Sequence, residues 1–297
     1  MWEQLTNGLQ AGDVRSIARL ISLIENETEG YEKFLQSIPA SSTAVIGITG
    51  PPGAGKSTLV DALIALLVQQ QKRVAVLCVD PSSPFNAGAI LGDRIRMAAW
   101  YNHPSVFIRS LATRGSVGGL THTIIEITDL LKAAPFDCIL VETVGVGQSE
   151  IEIAGLADIT VVVLVPEAGD EIQAMKAGLM EVADIFAVNK ADRPGADLFI
   201  HNLQAMLRPG RAAAAMVPVV KTIASAQTGV DELLQQLLLL LNSKEQHNKK
   251  HLLLAEKAWQ LIQHKRMQGI SKAELAESIR QQLQQNTFNL YRFVAGI

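Results

Sequence analysis

Apolar residues recur along this chain with two different periods. Near the N-terminus Val14, Ile17, Leu20, Ile21 and Ile24 fall at helical spacing behind Asp13, a residue able to cap the first turn. Residues 1–40 are therefore expected to form a helical extension. From residue 44 to 241 the pattern changes to short β-branched runs separated by longer helical ones. The runs at 44–49, 74–79, 106–110, 137–141, 159–165, 185–188 and 217–223 are apolar mostly on both faces. That predicts an α/β domain, a mostly parallel central sheet flanked by helices, over 41–242. A polar break at 242–250 then leads into two expected helices, the second opened by a Ser271-to-Glu274 capping box. Their apolar stripes (Ala255, Ala258, Trp259 and Ile262; Leu275, Ile279 and Leu283) make 243–297 a candidate self-association arm and the chain an expected homodimer.

Charge narrows the classes of partner. The 297 residues carry 26 Lys plus Arg against 29 Asp plus Glu, a net charge of −3. A balance so near zero argues against a nucleic-acid or membrane-surface binder. The longest apolar runs fall far short of the roughly 18 residues that span a bilayer. No secretory leader is visible behind Met1-Trp2-Glu3-Gln4, so a cytoplasmic protein is expected. Both cysteines, Cys78 and Cys138, lie in apolar strand runs and read as reduced core residues.

The first strand runs directly into Gly50-Pro51-Pro52-Gly53-Ala54-Gly55-Lys56-Ser57-Thr58, and a helical pattern follows. This is G-x-x-x-x-G-K-S in its required setting of strand, loop and helix, the mark of a P-loop NTPase. Glycines let successive N–H groups turn toward one anion, and the helix N-terminus adds its positive end. Lys56 can supply charge to the β- and γ-phosphates, and the Ser57 hydroxyl can bind Mg²⁺.

Two further strands end in acids at the ligand-facing sheet edge, at Asp80 and at Glu142. Glu142 continues into Thr143-Val144-Gly145, where an acid suits Mg²⁺ and a glycine N–H suits a γ-phosphate. Asp80 and Asp93 are further metal candidates, Asp93 equally a helix cap. Arg94, Arg96, Arg109 and Arg114 read as solvated or partner-facing rather than catalytic.

Strand 185–188 ends in Asn189-Lys190-Ala191-Asp192. A carboxylate at Asp192 can accept from guanine N1–H and N2–H₂, donors that adenine does not offer. Such a site rejects the wrong base because its own polar group would be left unpaired. Asn189 would hold the loop, Lys190 would lie along the base, and Ser225-Ala226-Gln227 could touch the guanine carbonyl. The expected ligands are GTP or GDP with Mg²⁺.

Several longer segments carry a resemblance: Asp80-Pro-Ser-Ser, Gly92-Asp-Arg, Val141 to Glu150, Gly169 to Gly178, and Leu179 to Asp184. Over roughly residues 10–240 the chain resembles the MeaB/ArgK GTPases, the G-protein chaperones of adenosylcobalamin-dependent methylmalonyl-CoA mutase. The resemblance implies a G domain with an all-parallel core, a C-terminal dimerisation arm, and a role in loading or protecting the mutase's B12 cofactor. It also supports a switch built from Asp170, Gln173 and Lys176, with Lys176 brought to the phosphates by a docked partner. The family's older label, an amino-acid transport kinase, fits nothing in these residues.

Three rival functions share parts of this pattern. A nickel-insertion GTPase needs a metal store, whereas His103, His122, His201, His247, His251 and His264 are scattered. A module that only senses GTP is opposed by the intact Lys56, Ser57 and Glu142. An ATP-dependent kinase is opposed by Asp192.

Overall fold

In the computed structural model the β-branched runs become strands β1 (Ala44–Thr49), β2 (Val74–Asp80), β3 (Val106–Ala112), β4 (Cys138–Thr143), β5 (Ile159–Leu164), β6 (Ile185–Val188) and β7 (Val219–Lys221). The structure describes residues 1–80, 97–112, 122–143, 152–168, 177–207, 217–285 and 287–297. Every strand pair in the sheet is parallel, in the order β3-β2-β4-β1-β5-β6-β7. Strand β1 lies near the middle. The chain lays strands to one side of it and then to the other, so the residues following β1 open at the reversal of strand order, where ligands bind in open α/β sheets.

The described α-helices are α1 (Trp2–Ala11), α2 (Val14–Glu25), α3 (Tyr31–Ser37), α4 (Lys56–Gln69), α5 (His122–Lys132), α6 (Ala177–Val182), α7 (Ala196–Leu207), α8 (Val230–Leu241), α9 (Lys244–Met267), α10 (Lys272–Gln284) and α11 (Leu290–Ala295). Period-2 alternation divides the sheet's side chains between two cores. On one face Ile46, Ile48, Leu140, Val161 and Val163 pack with Leu59, Leu63 and Ile64 of α4 and Leu233, Leu234 and Leu237 of α8. On the other, Val162, Leu164, Phe186 and Val188 pack with Leu179 of α6 and Phe199, Leu203 and Leu207 of α7.

The N-terminal expectation holds with one exception. Asp13 caps α2, accepting from Ser16 N at 2.9 Å and Ser16 Oγ at 2.6 Å. Ile17, Leu20, Ile21 and Ile24 are fully buried, but Val14 is 49% exposed because it sits at the start of the helix, ahead of the packed face. The last strand is shorter than its apolar run. Thr222 N already donates to Val188 O, and Ile223 turns back to bridge Thr228, which limits β7 to Val219–Lys221. Both cysteines are buried thiols outside any disulfide, and burial pushes the Cys138 thiol up to about 12.

Most of the polar run 242–250 is helical, since α9 begins at Lys244. Lys, Glu and Gln are good helix formers, so polarity there does not mark a break in the chain. The chain's contacts divide it into Met1–Lys257 and Ala258–Ile297. Within the second unit Ser271 caps α10 by accepting from Glu274 N at 3.4 Å, and Asn289 caps α11 through Arg292 N at 3.0 Å. Neither helix buries a residue, and Trp259, Ile262, Leu283, Leu290 and Tyr291 are exposed. No described helix is long and apolar enough to cross a membrane.

Candidate guanine-nucleotide site

Residues 50–55 connect the end of β1 to the first turn of α4 in a backbone only glycine supports at its two ends. Gly50 has φ +136°, and a Cβ there would lie 2.2 Å from the Val163 carbonyl oxygen. Gly55 has φ +88°, and a Cβ would meet Asn189 Nδ2 at 2.4 Å. The loop is thus pressed against β5 on one side and against the loop after β6 on the other. Pro51, Pro52, Gly53 and Ala54 fill it, with Ala54 N donating to Pro51 O at 3.3 Å.

Lys56 is only 6% exposed, and its ammonium donates to Gly50 O at 2.9 Å and Pro51 O at 3.0 Å. Those bonds hold the charge across the mouth of the loop. Ser57 is also 6% exposed and donates to Glu142 Oε1 at 2.6 Å, while Glu142 is 4% exposed. The expected metal pair is therefore in contact. Ser57 comes from the first turn of α4 and Glu142 from β4, where Ile48 faces Glu142 across the β1–β4 register. Thr58 follows on α4, half-buried.

The base-reading loop is joined to the same frame. Asn189 is 2% exposed; its Nδ2 donates to Ala54 O at 2.9 Å, and its Oδ1 accepts from Ala224 N at 3.0 Å and Thr222 Oγ1 at 3.3 Å. One side chain thus ties the phosphate loop to the segment carrying Ser225, Ala226 and Gln227. Lys190 adopts φ +55° and donates from Nζ to Gly53 O at 2.8 Å, a second tie to the phosphate loop. Asp192 is exposed beside it, as are Ser225, Ala226 and Gln227, so this end of the site opens to solvent.

Three features share this edge of the sheet: an anion cradle with an ammonium, a hydroxyl–carboxylate pair suited to a hard divalent ion, and an exposed carboxylate at Asp192. Residues 17–278 match the family described as "Methylmalonyl Co-A mutase-associated GTPase MeaB". The chain belongs to the MeaB family. It is a GTP-hydrolysing enzyme of the P-loop class. A Pyrococcus abyssi protein named as a candidate GTPase is 47% identical over 239 residues, covering 78% of this chain and 74% of the relative. GTPase ArgK of Escherichia coli is 40% identical over 190 residues, 62% of this chain and 57% of its own. The Mus musculus methylmalonic aciduria type A homolog, named as mitochondrial, is 37% identical over 206 residues, 64% and 50% of the two chains.

Among solved structures, one described as an LAO/AO transport system kinase superposes on this MeaB-family chain with TM-score 0.69 at 25% identity, covering 99% of this chain and 95% of that one. HypB from Helicobacter pylori in complex with nickel gives TM-score 0.50 at 17% identity over 74% and 94% of the two chains, a likeness of fold alone. Among the described residues of this MeaB-family chain, no group of three or more His, Cys, Asp or Glu could hold a metal ion.

Several expected residues lie outside the described ones: Asp93, Gly145 and Lys176, with Gln148, Asp170 and Gln173. Asp80 is described only as the last residue of β2, opposite Ala112 of β3; its side chain is outside that description. Arg109, expected to be solvated or partner-facing, instead pairs within the chain, its Nη2 lying 2.7 Å from Glu25 Oε2 of α2. Sequence reading missed three cross-links at this edge. Arg193, next to Asp192, bonds Glu167 after β5 and holds that carboxyl below its usual range. Trp100 Nε1 donates to Asp61 Oδ1 of α4 at 2.6 Å. Thr49 and Thr143 bond each other. Their signal was faint: a hydroxyl residue at the end of each of two apolar runs.

A hollow of about 1160 Å³ opens at the opposite edge of the sheet, lined among others by Lys132, Asp158, Asp184 and Leu241. It lies at the strand N-termini, away from the nucleotide loops, and takes no part in this site.

Proposed function

We propose that the edge described above binds GTP or GDP with Mg²⁺ through Gly50–Thr58, Asn189, Lys190, Asp192 and Ser225–Gln227. Lys56 neutralises the β- and γ-phosphates, and Asp192 reads guanine. Ser57 and Glu142 suit Mg²⁺, being a hydroxyl and a carboxylate with oxygens 2.6 Å apart at the mouth of an anion loop. When bound, Mg²⁺ would draw charge from the β- and γ-phosphate oxygens. Asp80 and Asp93 belong to the same proposal as further metal-side acids, and Gly145 as a γ-phosphate donor.

The observation that carries the reading is Asn189, which bonds phosphate loop and base-reading segment at once. A site so braced fixes the separation of phosphate and base before any ligand arrives, and preorganisation of this kind strengthens nucleotide binding, while Asp192 supplies the preference for guanine. Competition against labelled GDP tests it. GTP should displace the label far better than ATP; equal displacement would reject the assignment.

At the level of the cell, we infer a chaperone that gates B12 loading or protection of a B12-dependent acyl-CoA mutase, methylmalonyl-CoA mutase being the first candidate. Support comes from the family description and from the mouse relative's name. In this reading a docked mutase brings Lys176 to the phosphates and accelerates a slow intrinsic hydrolysis by roughly tenfold or more. Lys176→Ala should abolish that acceleration with nucleotide affinity nearly intact. Acceleration surviving in that variant would contradict the gating.

The 1–40 extension, the 41–242 G domain and the 243–297 dimerisation arm remain our proposed division of labour, with the exposed Trp259 and Ile262 as arm contacts.

A further inference from the structure

We propose that Thr49 and Thr143 are a positioning pair that sets the spacing between the phosphate loop and the strand presenting Glu142; the proposal rests on the site reading above. Both residues are wholly buried. Their hydroxyl oxygens lie 2.9 Å apart, Thr143 donating to Thr49. Thr49 is the last residue before Gly50, and Thr143 is the first after Glu142.

The sheet gives this bond a specific task. Backbone register between β1 and β4 runs from Ala44↔Cys138 to Ile48↔Glu142 and goes no further. One step on, the backbones of the two threonines are matched to different outer neighbours, Thr49 to Val162 of β5 and Thr143 to Val79 of β2. The two exits therefore begin to be governed by opposite halves of the sheet just where their loops depart. The hydroxyl bond continues the join past the last backbone pair. It does so on the sheet face opposite Ile48 and Glu142, since successive strand residues alternate faces.

Burial makes the link stringent. A hydroxyl shielded from water needs a partner within the protein, so removing one threonine's oxygen strands the other. Valine keeps the volume and branching of threonine and lacks only the donor and acceptor. Such a substitution tests the bond with little change in packing. Ser57 and Glu142 approach from α4 and β4, and their 2.6 Å contact depends on how far β4 stands from the β1–loop–α4 unit. Small errors in that distance fall on the metal and γ-phosphate end of the site. The guanine end is braced separately by Asn189 and should not sense them.

The test measures GTP hydrolysis, GDP affinity and the Mg²⁺ concentration for half-maximal rate in the full-length protein. Thr143→Val should lower kcat roughly tenfold or more, because displacement of reacting groups by a fraction of an ångström is costly in catalysis. Its half-maximal Mg²⁺ should rise, while GDP affinity stays within about twofold and Thr143→Ser restores the rate. Thr49→Val combined with Thr143→Val should lose no more than either alone, as expected for two members of one contact. If Thr143→Val fails to fold, that double variant carries the same test, since no hydroxyl is then stranded. A kcat within twofold of wild type, additive losses, or a serine variant that does not recover would overturn the proposal. Failure of the wild-type protein to bind guanine nucleotide would instead overturn the site reading beneath it.

Discussion

At the carboxyl edge of the sheet, Lys56 and Glu142 are almost wholly buried, and both engage groups bordering the place a nucleotide would take. On helix α5 another acid is drawn in under different terms. Glu126 faces Glu27 and Glu32 from the N-terminal helices, and its Oε2 is shielded from water without a hydrogen-bond partner. Burial first, then the two neighbouring carboxylates, push Glu126 up to about 7; Tyr31, shielded in the same cluster, goes up to about 12. At the first place the charges keep partners that a phosphate or metal can replace at little cost. At the second a carboxylate adapts by holding its proton. Buried charge thus marks a ligand site only where the surrounding donors and acceptors are exchangeable.

The largest expected effect would break the first half of that comparison. Lys56→Ala removes the buried ammonium held by the Gly50 and Pro51 carbonyls, and charge-assisted bonds to phosphate are each worth roughly 1.5–3 kcal/mol. GDP affinity by calorimetry should fall by about two orders of magnitude, with the melting curve of the free protein little changed. A variant that still binds GDP as tightly as wild type would show that Lys56 is structural. Next in size, Glu142→Gln should cost about a hundredfold in kcat at low Mg²⁺, with GDP affinity changed much less. Equal losses in rate and affinity would place Glu142 in general binding instead.

The exposed C-terminal stripe gives a third test. Trp259→Asp with Ile262→Asp should convert a dimer into a monomer by light scattering, with GDP affinity retained. A dimer that survives both changes would remove 243–297 from the interface.

The smallest effect sharpens the second half. The pKa of Glu126 is raised on folding, so its burial costs nothing below about 4.5, costs progressively more as pH rises to about 7, and is constant above. Stability from this group is therefore fully present at low pH and lost as pH climbs through that window. Glu126→Gln should raise Tm at pH 8 by a few degrees, at roughly 2–4 °C per kcal/mol for a chain of this size, and change it little at pH 5. Equal shifts at both pH values would mean that charge is not what Glu126 contributes.

Much of this was legible in the chain, for reasons that differ by residue. The phosphate loop and the Asn189-to-Asp192 tetrad could be read because their geometry is local. Contiguous residues do the work, and glycine at 50 and 55 is demanded by backbone angles the sequence itself specifies. The parallel sheet could be read because strands covered on both faces are apolar on both. What could not be read depends on residues far apart in sequence. Thr49 and Thr143 are 94 positions apart, and Glu126 meets Glu27 and Glu32 only once α5 packs beside the N-terminal helices. Within its own apolar helix, Ile124-Ile125-Glu126-Ile127, that glutamate looks like any solvated acid. The 242–250 run failed for another reason. Its residues are polar and helix-forming at once, and hydropathy alone cannot separate a polar helix from a linker.

The central claim is that this edge reads guanine through Asp192, and the most direct measurement is base preference in Asp192→Asn. An amide at that position can donate to the xanthine 2-carbonyl but no longer accepts from both guanine donors. Competition binding should show guanine-nucleotide affinity falling and xanthine-nucleotide affinity rising in the same variant, with the phosphate loop unaltered. A variant that keeps the wild-type preference for GDP over xanthosine diphosphate would contradict the account.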